Sequence, residues 1–96
     1  MEYAKRTDAN QSPIMAELRA ALPEATLQPT SRAGDGFPDF AVGLWGQTYL
    51  VEVKTPRGTL TKAQGKFHLR WQGHSCVATS TAEVLASILR HLHKMK

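Results

Sequence analysis

The chain has 96 residues, a net charge of +4 and a single cysteine, and these figures exclude several classes of protein. The length fits one ordinary domain. One cysteine excludes an internal disulfide framework and a zinc site built from several cysteines. No apolar run approaches the ~20 residues of a membrane span, and the N terminus lacks the apolar core of a signal peptide. We therefore expect a cytoplasmic protein without a membrane anchor.

Basic residues are concentrated in the second part of the chain. Residues 1–39 contain four Lys and Arg against six acidic residues, whereas residues 40–96 contain eight against two. A basic segment of this kind favours a polyanionic partner, with nucleic acid as the first choice and a membrane surface as the second.

The N-terminal residues indicate where the folded domain begins. Residues 1–11 are polar, which predicts a flexible N terminus followed by a single domain over residues 12–96. Ser12 and Pro13 are the types that favour the N-cap and the first turn of a helix. An apolar stripe at helical spacing then runs over residues 14–22.

Strand patterns occupy the middle of the chain. Residues 25–31 are a weakly patterned strand, and residues 33–36 have the composition of a loop. Two stronger strand patterns, over residues 37–44 and 48–54, are separated by a short segment that contains Gly46. We therefore predict a β-hairpin.

Two capping-box sequences predict the starts of the last two helices. Residues 61–64 open a helix whose apolar stripe reaches Trp71, with Gly73 at its C′ position. Residues 80–83 open the final helix, and residues 75–79 between them are β-prone. The order α-β-β-β-α-β-α predicts an α/β fold whose last strand enters the sheet through a crossover connection.

The hairpin places three charged side chains together. If the turn is at residues 45–46, Asp39 lies opposite Glu52. If it is at residues 46–47, Asp39 lies opposite Lys54. All three side chains share one face in both registers, because side chains alternate along a strand and direct pairs point the same way. A three-residue loop would reverse this parity.

The two faces of the hairpin have different chemistry. The face with the charged cluster presents two carboxylates, between which a divalent ion can sit, although such a cluster can also be a solvated ion-pair network. The constrained loop that delivers Asp39 favours the functional interpretation. The other face is apolar and is the predicted core face, formed by Phe40, Val42, Leu44, Tyr49, Val51 and Val53.

The charged cluster carries a resemblance to a nuclease family. Residues 36–39 read Gly-Phe-Pro-Asp and residues 52–54 read Glu-Val-Lys, which resembles the PD-(D/E)XK nuclease signature. Three later segments, residues 58–64, 73–77 and 80–83, follow in an order that is similar to the sequence pattern of the VRR-NUC (virus-type replication-repair nuclease) family. This resemblance covers almost the whole chain. It implies a standalone phage-type domain, bacterial or phage-encoded, with a restriction-endonuclease-like core of a mixed sheet flanked by helices.

The resemblance also implies a chemistry, the hydrolysis of DNA phosphodiester bonds with Mg²⁺ or Mn²⁺. Asp39 and Glu52 would ligate the metal together with the backbone carbonyl of Val53. Lys54 would position or activate the attacking water. These roles suit an anionic substrate, because a metal lowers the pKa of bound water and stabilises developing negative charge. Gln64 either supports this site by hydrogen bonding or serves only in its capping box.

One position departs from the family pattern. Its members usually have a glutamate near the start of the first helix as an additional ligand, where this chain has Gln11. Either Glu17 supplies the acid, or the site has one ligand fewer, or the correspondence is shifted. Gln11 can still bind a metal through its side-chain carbonyl oxygen, but without charge. Further along, His68 lies one turn beyond Gln64 and either reaches the phosphate or is exposed.

The remaining expectations concern the substrate. The domain is small, and relatives with standalone domains suggest a homodimer acting on branched or structured DNA, such as a Holliday junction or a flap. The alternatives are a catalytically weak or inactive DNA-binding module with a nuclease fold, and a small interaction or inhibitor subunit. Five basic residues are candidate phosphate contacts, although those of the second helix could form only a solvated face: Arg32, Arg57, Lys62, Lys66 and Arg70.

Overall fold

The structure is a computed structural model that describes residues 11–95. Its elements follow the predicted order, with a short 3₁₀ helix after the first strand. No helix in the described range is both long and apolar enough to cross a bilayer. The elements are α1 (Gln11–Ala21), β1 (Thr26–Pro29), the 3₁₀ helix (Ser31–Ala33), β2 (Phe40–Leu44), β3 (Gln47–Val53), α2 (Lys62–Arg70), β4 (His74–Ala78) and α3 (Thr81–Lys94).

The four strands form one mixed sheet in the order β1-β2-β3-β4. β1, β2 and β3 pair antiparallel, whereas β4 pairs parallel to β3. A parallel neighbour requires a crossover, and α2 lies in that connection. The predicted α/β class, with a mixed sheet flanked by helices, is therefore confirmed.

The hairpin has the first of the two predicted registers. Leu44 pairs with Gln47, and the two turn residues, Trp45 and Gly46, have φ of 51° and 81°. Positive φ at both positions is typical of the tight turn that matches the twist of a hairpin. The ladder ends at the pair of Phe40 with Val51. The two-residue turn gives the even loop that the alternation predicts.

The predicted core face is confirmed, because all six of its residues are buried. They pack against apolar side chains of α1, α3 and β4. Gln64 and His68 of α2 contact side chains on the opposite face of the sheet. The core cluster comprises Ile14, Met15, Leu18, Phe40, Val42, Leu44, Tyr49, Val51, Val53, Ala78, Val84 and Ile88.

Two helix boundaries differ from those predicted. Ser12 lies inside α1, so it is not the N-cap, and the part of the predicted flexible terminus at residues 1–10 lies outside the described residues. α2 ends at Arg70, and Trp71 is an extended C-cap with φ −68° and ψ 127°. Gly73 therefore lies beyond C′. A Cβ there would stand 2.8 Å from the Nε1 atom of Trp71, so this glycine makes room for the indole instead.

Candidate functional site

The loop before β2 presses against the first turn of α2. Gly34, Asp35 and Gly36 all have positive φ, at 78°, 54° and 79°, and aspartate is among the residues that tolerate this region. A Cβ on Gly36 would lie 2.3 Å from the carbonyl oxygen of Ala63. Only glycine combines this backbone angle with this close approach, so the loop that carries Asp39 is fixed against the helix that carries Gln64.

Asp39 is anchored by both its main chain and its side chain. Its N–H donates to the carbonyl of Val51 at 2.9 Å, and its carbonyl accepts from the N–H of Thr30 at 2.8 Å. Its Oδ2 accepts from the N–H of Val53 at 2.8 Å. Asp39 thus continues β2 beyond the regular ladder, with its carboxylate drawn onto the end of β3.

Glu52 is a buried carboxylate with two polar neighbours. Only 1% of the residue is exposed. Its Oε2 accepts a hydrogen bond from Nε2 of Gln64 at 3.1 Å and lies 3.8 Å from Nζ of Lys54, whose side chain is 14% exposed. A charge this deep requires compensating donors and cations, and the amide and the ammonium supply both.

Gln64 combines the two roles that the sequence left as alternatives. Its Nε2 donates to Glu52, and its Oε1 accepts from the N–H of Thr61 at 2.8 Å. In return, the hydroxyl of Thr61 accepts from the N–H of Gln64 at 3.1 Å, which completes the capping box. One side chain therefore fixes both the start of α2 and an oxygen of the buried carboxylate.

These residues surround one pocket of about 180 Å³. The structure brings four of the predicted site residues into its wall, and Val53, whose side chain is buried on the opposite face, contributes its N–H to Asp39. The lining comprises Ser31, Gly34, Asp35, Gly36, Phe37, Asp39, Glu52, Lys54, Thr61 and Gln64.

The donor set of the pocket fits a hard divalent cation. Asp39 and Glu52 offer carboxylate oxygens, the ligand type preferred by Mg²⁺ and Mn²⁺. Across residues 11–95, no group of three or more His, Cys, Asp or Glu side chains could hold a metal ion. Mg²⁺ is commonly held by only one or two carboxylates and keeps several waters. Two carboxylates in the pocket wall are therefore compatible with an ion of this type.

The structure does not bring the two candidates of the first helix into this pocket. Glu17 is exposed, and its carboxylate accepts a hydrogen bond from the hydroxyl of Thr81 at the start of α3. Gln11 is 4% exposed, and its Nε2 lies 3.8 Å from the sulfur of Met15. Its Oε1 is buried without a hydrogen-bond partner among the described residues.

The five predicted phosphate contacts are all exposed and lie outside the pocket wall. Lys62 directly follows the lining residue Thr61, and Lys66 and Arg70 continue along α2. The guanidinium of Arg70 lies 5.7 Å from the ring centre of Phe67. Arg32 and Arg57 are in the 3₁₀ helix and in the loop after β3. The structure therefore shows exposed cations on three segments next to those that line the pocket.

His68 fits neither of its two predicted environments. It is half-buried, and its Nδ1 lies 3.2 Å from the hydroxyl of Ser75 in β4. Its Nε2 is buried and has no hydrogen-bond partner within residues 11–95. Burial lowers the pKa of this imidazole below its ordinary value. His68 therefore packs α2 against the sheet instead of facing the pocket.

Sequence reasoning missed two further clusters. One is around Trp71, which is expected on the apolar stripe of α2, yet 40% of it is exposed.

The other cluster joins two histidines and a tyrosine. The rings of His74 and His91 lie 3.7 Å apart, and Nδ1 of His91 is 2.7 Å from the hydroxyl of Tyr49. Burial, followed by the charges of His74 and Lys94, lowers the pKa of His91. No local pattern indicates this contact, because 42 positions separate Tyr49 from His91.

Comparisons of the chain with family models, with curated proteins and with solved structures found no match.

Proposed function

We propose that this protein is a metal-dependent endonuclease that hydrolyses phosphodiester bonds in branched or structured DNA, as the resemblance to the VRR-NUC family implies. One observation carries the proposal. Asp39, the pair Glu52 and Lys54 at the end of β3, and Gln64 come from three segments of the chain and line one pocket of about 180 Å³. Two carboxylates, an ammonium and a fixed amide are the groups that hydrolysis of an anionic ester requires.

Each of these side chains has a distinct task in the proposed reaction. Asp39 and Glu52 would hold Mg²⁺ or Mn²⁺, and the ion supplies Lewis-acid stabilisation and a lowered pKa for water when it is bound. Gln64 holds one oxygen of Glu52 in place by donating to it. The ammonium of Lys54, 3.8 Å from Glu52, would orient the attacking water and offset charge on the phosphate.

The exposed cations support DNA as the substrate. Five exposed cations would contact phosphates on either side of the scissile bond, which gives affinity but no base specificity. They are Arg32, Arg57, Lys62, Lys66 and Arg70. The longest dimension of the domain is 42 Å, and a domain of this size covers little of a branched junction. We include in the proposal a homodimer that presents two such pockets to the arms of a junction or flap.

A second candidate, a DNA-binding module without nuclease activity, is favoured by one observation. Gln11 stands where the family usually has a glutamate, and Glu17 is engaged with Thr81 outside the pocket. The first helix therefore contributes no carboxylate to the pocket. If two ligands cannot retain the ion beside a phosphate, the fold and the cations remain and the protein binds DNA without cutting it.

Cleavage assays with matched variants test the proposal. Plasmid, four-way-junction and flap DNA are incubated with Mg²⁺ or Mn²⁺ and the wild type, Asp39→Asn or Lys54→Met. We expect each variant to lower the cleavage rate by about 100-fold or more, the scale of losing one stabilising group at a reacting centre. Glu24→Gln, a change at an exposed acid outside the pocket, is the control and should cut as the wild type does.

Each other outcome points elsewhere. Cleavage that survives both pocket variants would come from a contaminant and would overturn the proposal. Wild-type protein that binds DNA but leaves it intact with either metal would establish the second candidate. Absence of binding at low salt would favour an interaction or inhibitor subunit.

A further inference from the structure

Three aromatic rings lead from the pocket to the surface. We call Phe37, Phe67 and Trp71 the aromatic ladder. Phe37 lines the pocket, and its ring centre lies 5.1 Å from that of Phe67 and 6.3 Å from that of Trp71. Phe67 is buried, and Trp71 stacks on it at 5.1 Å with an interplanar angle of 21°. The exposed end of the ladder is thus connected by direct ring contacts to the wall of the pocket.

The indole of Trp71 is held in place although 40% of the residue is exposed. It stacks on Phe67, and the backbone of Gly73 lies against its nitrogen, so that a Cβ at Gly73 would stand 2.8 Å away. The extended backbone at Trp71 directs the chain out of α2 at this point. A ring fixed in this way can take a stacked ligand with little loss of conformational entropy.

Two cations of α2 lie near the aromatic ladder. Arg70 precedes Trp71 and places its guanidinium 5.7 Å from the ring centre of Phe67, and Lys66 is exposed one turn earlier on α2. An exposed, immobilised aromatic ring flanked by cations is the combination that binds unpaired nucleotides, because bases stack on the ring and phosphates contact the cations. In a continuous duplex the bases stack on one another, so this surface of the protein can contact only the phosphates.

We infer that Trp71 is a stacking platform for an unpaired nucleobase next to the scissile phosphate. This inference rests on the proposed nuclease function and specifies its substrate class, DNA with unpaired nucleotides beside the cleavage point. A single strand advances roughly 3.4 Å or more per nucleotide, so a strand of a few nucleotides reaches from the pocket to Trp71. Lys66 and Arg70 then contact its phosphates.

Tryptophan fluorescence tests the platform without requiring cleavage. The chain has two tryptophans, so Trp45→Phe leaves Trp71 as the only emitter. This protein is titrated in EDTA and low salt with oligo(dT) and with a blunt duplex of equal length. We expect saturable quenching by oligo(dT). In a competition assay, Trp71→Ala should weaken oligo(dT) binding by about 5- to 150-fold, the equivalent of one stacked base, and change duplex binding less than twofold.

Two further variants keep the test decisive. Leu69→Ala removes a side chain of α2 that is 89% exposed and should leave both affinities unchanged. Trp71→Leu keeps an apolar contact with Phe67 but cannot stack a base, so it replaces Trp71→Ala if the alanine variant unfolds. It should lose oligo(dT) affinity to a similar extent.

Three results would overturn the inference. The first is a lack of quenching of Trp71 by oligo(dT), and the second is an equal loss of affinity for oligo(dT) and duplex in Trp71→Ala. The third is Trp71 emission that changes with protein concentration alone, which would mean that a second copy covers Trp71. Failure of the nuclease proposal is distinguishable, because it would abolish metal-dependent cleavage while the quenching in EDTA remained.

Discussion

Gln64 is the residue on which folding and the candidate chemistry depend together. Its side-chain oxygen Oε1 caps the first turn of α2, and its side-chain nitrogen Nε2 donates to the buried Glu52. Thr61 shares only the first of these roles. The two residues therefore allow the stability of the helix to be separated from the support of the carboxylate.

Substitution of these two residues gives different expected results. Thr61→Ala should lower the free energy of unfolding by about 0.5–2 kcal/mol, the usual cost of losing a cap, and leave cleavage at low temperature within about twofold. Gln64→Ala should cost a similar free energy and lower the cleavage rate by a further 10- to 100-fold, the typical effect of losing a group that orients a metal ligand. Urea unfolding and cleavage rates measured on the same samples check this.

The prediction depends on the difference between the variants. If Thr61→Ala slowed cleavage as much as Gln64→Ala, the contribution of Gln64 would be purely structural.

Among the elements, the contact between the Gly36 loop and α2 determines the shape of the pocket. The carbonyl of Ala63 lies where a side chain of residue 36 would begin. Gly34 has nearly the same φ, 78° against 79°, but a Cβ there would meet nothing within 4 Å. Both glycines thus have a positive φ that strains a substituted residue, and only Gly36 adds a close contact with α2.

This pair provides a matched test of the contact. Gly34→Ala should lower the free energy of unfolding by about 1–3 kcal/mol, because Gly34, at φ 78° and ψ −176°, lies in a backbone region that is essentially restricted to glycine. Gly36→Ala should cost a further ~1–3 kcal/mol, as overpacking does, and should slow cleavage because α2 and Gln64 are pushed away from Glu52. Chemical denaturation and cleavage assays measure both quantities. Equal effects of the two substitutions would mean that the loop does not position the helix.

At the scale of the whole molecule, two histidines link stability to pH. Burial lowers the pKa of His68 and of His91, and for His91 the neighbouring charges of His74 and Lys94 add to this. Protonation of His68 would place a proton on a half-buried ring whose Nε2 atom is buried and has no hydrogen-bond partner among residues 11–95. Folding therefore favours the neutral form of both imidazoles.

The sign of the pH dependence follows from these shifts. Since the folded pKa lies below the unfolded value of about 6.5, the unfolded chain binds more protons in the interval between the two. The contribution of the neutral imidazoles to stability is complete above pH 6.5 and declines as the pH falls through that value.

We expect substitution to remove part of this dependence. His68→Gln and His91→Gln should each flatten the decrease in the free energy of unfolding between pH 8 and pH 5.5, measured by urea unfolding. His93→Gln, a change at an exposed histidine of α3, is the control and should leave the slope as in the wild type. A slope unchanged in the first two variants would contradict the prediction.

Local rules explain why so much of the fold could be predicted. The assignment of side chains to the two faces of the hairpin follows from an even turn and from alternation, both of which involve near neighbours, whereas the structure decided between the two possible registers. The capping box at Thr61 and Gln64 spans one helical turn. Asp39 and Glu52 are predicted to form one site because alternation along the hairpin puts both side chains on the same face. The structure places both in the pocket wall.

The sequence by itself determined the order of the elements, the core face of the hairpin and the pairing of Asp39 with β3, since these depend on periodicity and turn chemistry. Only the tertiary structure decided which distant groups meet. It placed Gln64 on Glu52, turned Glu17 towards Thr81 and left Trp71 partly exposed. The physical reason is that packing between elements is set by the volumes and shapes of all facing side chains at once, which no short segment of sequence encodes.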